Sequence, residues 1–223
     1  MMTLNLTPNP HNLPVLFGFP VSPNVRAARL AFHEKGVEIE FRVIGLDAVA
    51  KPEYAELHPF RKMPVLRDGD LTLYETPAIM VYAEGVGRGP SLVPAGLLDQ
   101  ARMWQFTGVA QHYLYPRGVM ELYFHRVLAP LFGLEAKDAV ADAAVAAVAA
   151  QLDALERALT ASAHLAGPAL SFADLYCGAM VDYVARTPDG AELLARRPAI
   201  SAWLDSLRAR DSFRATFPSM LAN

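Results

Sequence analysis

The chain has 223 residues, 53% of them hydrophobic and 19% charged, which supplies a substantial core and excludes a disordered chain. Its length exceeds the ~100–150 residues of a typical domain, so one large or two small domains are expected. A net charge of −3 excludes nucleic acid as the main partner, and a lone cysteine, Cys177, excludes an internal disulfide.

The first residues, "MMTLNLTPNPHNLP", have no basic region followed by an apolar core. They read as a loose lead-in and not as a signal peptide. No apolar run reaches the ~18 residues of a membrane span. No Cys/His spacing marks a metal site. A protein of the cytoplasm, a reducing compartment, is expected.

"VLFGF" (15–19) reads as a short buried strand. Residues 23–35 read as a helix, with Pro23 at its first position and Gly36 past its end. Val25, Ala28 and Phe32 share one face at helical spacing. "VEIEFRVI" (37–44) alternates as a strand does, and "KPEYAEL" is a short polar segment with room for a helical turn. "KMPVLRDGDLTLYE" (62–75) places Asp68-Gly69 between two apolar runs, a hairpin signal. Residues 76–87 read as a helix behind a Thr-Pro start. The order strand, helix, strand, short helix, hairpin, helix describes an α/β unit. "GRGPSLVPAG" (87–96) is a Gly- and Pro-rich linker.

Beyond it the pattern is helical. The stretch from residue 97 is expected to break near Pro116 and Pro130. An alanine-rich segment carries an apolar stripe of Val145, Val148, Leu152, Leu155 and Leu159. Ser171-Phe172-Ala173-Asp174 matches a capping box with Asp in the acidic place. Helical pieces at 189–196 and 198–210 follow. The fold class is therefore α/β followed by all-α, with domains at 14–87 and 97–223.

Three local signals carry chemistry. Ser22 sits between a buried strand and a helix start, where free amides and the helix dipole favour an anion. It serves as a cap or holds a thiolate, whose pKa falls at such a position. Pro64 opens a strand after Met63; a cis bond there would turn the Met63 backbone toward a ligand, while a trans bond is the ordinary form. Glu75 and Thr76 lie where the hairpin enters a helix, as caps or as a receptor for an amino-acid end.

In order and spacing, "SPNVRAARLAFHEKG", "LHPFRKMPVLRDGDLTLYETPAI", "LSFADL" and "RPAISAWLDSLRAR" resemble the cytosolic glutathione transferase family from about Val15 to near the C-terminus. The first part is similar to serine-using classes, phi-like or a bacterial relative. The resemblance implies a thioredoxin-like N-terminal domain that binds glutathione as co-substrate, an all-helical domain that binds a hydrophobic electrophile, and a homodimer with no metal. It implies that Ser22 stabilises the glutathione thiolate. Met63 pairs through its backbone with the cysteinyl part, beside the cis-proline Pro64. Glu75 and Thr76 hold the γ-glutamyl end, and Lys51 and Lys62 serve the glycyl end.

Three positions depart from the family pattern: Arg61 for Gly in "NPFGKVP", Pro77 for Arg in "ESRAI", and Ala50 for a His. Arg61 constrains the loop or adds charge near the glycyl end. His112, Tyr113 and Tyr115 are candidates for the electrophile pocket, although aromatic residues at helical spacing also build cores. Cys177 reads as a small buried hydrophobe. Glutathione conjugation is the expected reaction. A glutathione-dependent isomerase, peroxidase, dehalogenase or lyase, and a non-catalytic scaffold or stress regulator, are the alternatives.

Overall fold

The computed structural model describes residues 13–221, so most of the expected N-terminal lead-in, residues 1–12, lies outside the described residues. The chain divides into two compact units. One runs to Ser91 and includes the residues from Arg214; the other is Leu92–Phe213.

In the first unit, β1 (Val15–Gly18) leads into α1 (Pro23–Glu34), then β2 (Glu40–Val43), the short α2 (Leu46–Val49) and a 3₁₀ turn (Pro52–Glu56). The hairpin strands β3 (Val65–Asp68) and β4 (Leu71–Tyr74) precede α3 (Thr76–Val86). The sheet order is β2-β1-β3-β4. Strand β1 is parallel to β2 and antiparallel to β3, with Leu16 opposite both Phe41 and Leu66. This mixed four-stranded sheet has the thioredoxin-like arrangement. Every residue of β1 is buried, as its uninterrupted apolar run requires.

The second strand is shorter than the expected 37–44. The chain is still leaving α1 there: the Gly36 N–H bonds the His33 carbonyl and the Val37 N–H bonds the Phe32 carbonyl. That pair is a Schellman closure, with Gly36 at φ +64°. Gly69 and Asp70 form the two-residue hairpin loop, with Asp68 ending β3. Tyr54 packs with Val15, Phe17, Ile44 and Val65, so the polar segment around it is anchored in the core.

The linker start is fastened to the end of α1. The Lys35 carbonyl accepts from the Arg88 and Gly89 N–H groups, at 3.0 and 3.2 Å. The Lys35 ammonium donates to the Gly89 and Pro90 carbonyls, at 2.7 and 2.9 Å, and pairs with Glu84. A side chain at Gly89 has no room, because its Cβ would lie 2.1 Å from the Glu34 carbonyl oxygen. Residues from the C-terminal end complete this unit: Arg29 donates to the Ala215 and Thr216 carbonyls and lies over the Phe41 ring. They include the second half of the short α10 (Asp211–Thr216), which sequence periodicity did not indicate.

The second unit is helical. Its elements are α4 (Leu97–Val109), a stretch of wide π-type turns (Ala110–Leu128), α5 (Ala129–Leu131), α6 (Asp138–Ala161), α7 (Phe172–Val184), α8 (Pro188–Ala195) and α9 (Pro198–Arg208). The expected break at Pro116 does not occur, whereas the helix does end near Pro130, at Leu131. A proline ring clashes with the carbonyl four residues back in an α-helix; turns wound wider relieve that clash, and the helix continues through Pro116. Pro130 lies in the closing turn of this continuous helix, which stops at Leu131 and is followed by Gly133 at φ +65°.

Along α6 the buried stripe is Ala141, Ala144, Val148, Leu152, Leu155 and Leu159. Ala144 takes the place expected for Val145, which is half-buried. Helix α7 is buried along its whole length and forms the centre of the unit. Cys177 on it is free and buried, donating to the Phe106 carbonyl, and burial pushes its thiol pKa up. The expected capping box is present at its start. The Ser171 N–H and hydroxyl donate to Asp174, at 2.9 and 2.7 Å. The same carboxylate accepts from the Leu165 N–H and the Trp203 indole. Arg126 joins α6 and α8 by pairing with Asp138, Asp142 and Asp189. No helix among the described residues is long and apolar enough to cross a membrane.

Candidate functional site

Ser22 caps α1. Its backbone is extended (φ −78°, ψ 122°), its carbonyl accepts the first intrahelical bond from the Arg26 N–H, and its Oγ accepts from the Val25 N–H at 3.4 Å. Pro23 fixes the first helical position. Capping uses one lone pair of the hydroxyl. Its hydrogen remains free to donate.

Two long-range links bracket Ser22. Three residues before it, the Phe19 N–H donates to the Met63 sulfur at 3.1 Å. Two residues after it, the Asn24 carbonyl accepts from the buried Thr76 hydroxyl at 3.4 Å. The Met63–Pro64 peptide is cis, and Pro64 is buried at the entrance to β3. Three turns distant in sequence, at residues 22, 63 and 76, are thus drawn to one place.

Glu75 precedes α3 with φ +70° and leaves its side chain exposed, making no capping bond. Lys62 is exposed next to Met63, with its carbonyl held by the Tyr54 hydroxyl at 2.8 Å. Lys51 begins the 3₁₀ turn, half-buried. Arg61, at φ +51°, reaches the Ala50 carbonyl beside it. Of these, Glu75 and Lys62 directly adjoin Thr76 and Met63, the residues that link to either side of Ser22.

His58 lies within this group and carries no signal in local sequence beyond a histidine between apolar residues. It is buried, its Nδ1 accepts the Phe60 N–H at 3.2 Å, and its ring lies 4.8 Å from that of Tyr74. Burial lowers its pKa. The Glu75 carboxylate opposes that shift and the Lys62 cation adds to it.

The other three candidates belong to the second unit, on the wide-turned stretch. His112 and Tyr113 are exposed, Tyr113 by 58%, while Tyr115 is half-buried with its phenol pKa raised by burial. Successive residues rotate by roughly 80–100° around such a helix, so His112 and Tyr113 point in different directions.

The family models decide the kinship. Residues 16–90 match the glutathione S-transferase N-terminal domain and residues 119–211 match the glutathione S-transferase C-terminal domain. The chain belongs to the glutathione S-transferase family. This transferase is 33% identical to glutathione S-transferase F7 of Arabidopsis thaliana over 88% of its own length and 95% of that protein's. It is similar to the solved apo structure of glutathione S-transferase III, at a TM-score of 0.83 and 32% identity, covering 94% and 97% of the two chains. It is also similar to glutathione S-transferase I from Mais in complex with an atrazine glutathione conjugate, at a TM-score of 0.82 and 27% identity, covering 94% and 98%. These matches fall on the thioredoxin-like unit and the helical unit in that order.

Proposed function

We propose that this glutathione S-transferase binds glutathione on its first unit, keeps the thiol as a thiolate through Ser22 and the α1 amides, and conjugates it to a hydrophobic electrophile. The observation that carries the reading is the bracketing of Ser22 by the Phe19–Met63 and Asn24–Thr76 links. It supports a single site in which the serine faces a bound cysteinyl sulfur, the Met63 backbone pairs with the cysteinyl peptide beside Pro64, and Glu75 with Thr76 receives the γ-glutamyl ammonium and carboxylate. Lys51 and Lys62 serve the glycyl carboxylate.

The chemistry follows from the charge distribution. A helix start and one donated hydroxyl stabilise an anion. Lowering a thiol pKa by about 2 units corresponds to about 2.7 kcal/mol of preference for the thiolate. The proton leaves to solvent. The sulfur then attacks an electrophilic carbon, a C–S bond forms, and a leaving group departs with its electron pair. Fixed dipoles aimed at the sulfur and a pre-oriented co-substrate are the main accelerating terms. The atrazine conjugate held by the Mais enzyme supports a flat, apolar electrophile, for which His112, Tyr113 and Tyr115 of the helical unit are the candidate contacts.

A homodimer is supported by apolar side chains exposed along the β4 edge of the first unit, Phe60 above all, 68% exposed, with Leu71 and Tyr74. A cytoplasmic location agrees with a single cysteine, Cys177, that is free and buried.

Ser22→Ala tests the central claim. The variant is expected to be retained on immobilised glutathione while conjugation of an aryl halide at neutral pH falls at least tenfold. Recovery of rate as pH rises toward the free-thiol pKa of ~8.5 is expected as well. Unchanged turnover near pH 7 removes Ser22 from its role.

A further inference from the structure

The antiparallel register of β1 and β3 sets Val15 opposite Arg67 and Phe17 opposite Val65. Continued by two residues, it brings Phe19 opposite Met63, just past the end of β1 and just before the start of β3. The pairing there is not made backbone to backbone, as a ladder would make it. The Phe19 N–H donates to the Met63 sulfur at 3.1 Å. Among the described residues neither the N–H nor the carbonyl of Met63 bonds another backbone group. A thioether, a weak acceptor, thus closes the end of the ladder and leaves the Met63 main chain unengaged.

The other end of Phe19 leads to Ser22. The Phe19 carbonyl accepts the Ser22 N–H at 3.0 Å, so Phe19-Pro20-Val21-Ser22 is a β-turn with proline at its second position. Ser22 therefore closes this turn and caps α1 at once. The sulfur holds the N–H of Phe19 and Ser22 holds its carbonyl, so Met63 steadies the residue from which the turn starts. The Met63 side chain is itself anchored, packed against the core that includes Phe17, Tyr54 and Val65. Valine, which stands at this place in the family pattern "NPFGKVP", would pack there but offers no acceptor.

We propose that the Met63 side chain is a positioning group for catalysis: its sulfur, acting through Phe19, sets the Ser22 hydroxyl where it donates to the thiolate. The inference rests on the Ser22 reading above and adds to it a side chain that acts through Ser22 and not on the reacting atoms. It is separate from the pairing of the Met63 backbone with the cysteinyl peptide. Without the acceptor the turn loosens, the hydroxyl loses its aim and the bound thiol becomes less acidic. Affinity for the co-substrate, which draws on other groups, changes little.

The experiment uses the full chain with Met63→Leu, which keeps the bulk and removes the acceptor, and Met63→Gln, which supplies an acceptor of similar reach. The thiolate of bound glutathione is titrated by its ultraviolet absorbance, and conjugation of an aryl halide is followed from about pH 6 to 9. Met63→Leu is expected to raise the thiol midpoint by about 0.7 pH, which makes the rate about fivefold lower well below the midpoint and parental above about pH 8.5. KM for glutathione is expected to stay within about twofold of the parent's. The thermal midpoint is expected to stay within about 4 °C. Met63→Gln is expected to return the thiol midpoint to within ~0.3 pH of the parent's. In a Ser22→Ala background, Met63→Leu is expected to have no further effect on the rate. A parental thiol midpoint in Met63→Leu, a Met63→Gln that behaves as Met63→Leu does, or full additivity with Ser22→Ala overturns the Met63 assignment alone. A parent whose bound thiol titrates as free glutathione does overturns the Ser22 reading as well.

Discussion

The hydroxyl of Thr76, at the first position of α3, donates to the carbonyl of Asn24 in the first turn of α1 across 3.4 Å. One weak bond thus joins two helix starts that lie 52 positions apart in sequence. It brings the Glu75–Thr76 corner to the serine of the α1 cap, and the proposed co-substrate site depends on that meeting.

Thr76→Val keeps the shape and removes the bond. Stability is expected to fall by about 1 kcal/mol, the net worth of an ordinary buried hydrogen bond. KM for glutathione is expected to rise several-fold, because the corner loses both its hydroxyl and its tether. Thr76→Ser is expected to restore both values. Denaturant titration and steady-state kinetics on the same preparations check this, and a valine variant with parental KM would refute the link.

His58 makes stability depend on pH on the acid side. Burial holds its pKa below the ordinary 6.5, with Glu75 opposing and Lys62 reinforcing the shift. The unfolded chain therefore takes up the proton first as pH falls. Stability from the neutral ring is complete above about pH 6.5 and is lost as pH drops toward the lowered folded value. His58→Asn is expected to flatten that part of the curve, read as the difference between parent and variant unfolding free energies from pH 7.5 to 5. Identical slopes for the two proteins would contradict the assignment.

Asp174 has no exposed surface and gathers four donors: the Leu165 and Ser171 N–H groups, the Ser171 hydroxyl and the Trp203 indole. Asp174→Ala strands several of them inside the helical unit, at an expected cost of about 4 kcal/mol. Trp203→Phe removes one donor and keeps most of the apolar bulk, so about 1 kcal/mol is expected. A double-mutant cycle of the two should show strong coupling. A loss under 1 kcal/mol for Asp174→Ala would mean that the network carries little.

Lys35→Met leaves three acceptors without their cation, namely the Gly89 and Pro90 carbonyls and the Glu84 carboxylate. The expected loss is about 3 kcal/mol, concentrated in the segment 84–91. Hydrogen exchange of the Arg88 and Gly89 amides should accelerate in the variant. Protection equal to the parent's would show that the backbone bonds alone hold the linker.

The parts of this fold that were legible in sequence are those written by local chemistry. Gly36 ends α1, Asp68 and Gly69 mark the hairpin, and Ser171 with Asp174 announces α7. Each of these acts within a few residues of itself. What stayed hidden acts over distance. His58 gains its character from Glu75 and Lys62, which only the folded loop brings near. Pro116 reads as a breaker until the turns around it widen. Ala144 replaces Val145 on the buried face of α6, because contact with neighbouring helices selects a rotation that hydrophobicity alone does not. Helix α10 has six residues, too few for a periodic pattern. The bracketing of Ser22 is likewise invisible along the chain, since Met63 and Thr76 reach it from separate loops.

The first unit is built from two separate stretches of the chain: Arg29 on α1 holds the carbonyls of Ala215 and Thr216. During synthesis, then, this unit stays incomplete while the whole of Leu92–Phe213 is made. At ribosomal speeds of ~5–20 residues per second, that interval is on the order of ten seconds. The helical unit, whose sequence is continuous, is free to close first, and the first unit waits for the residues from Arg214 onward.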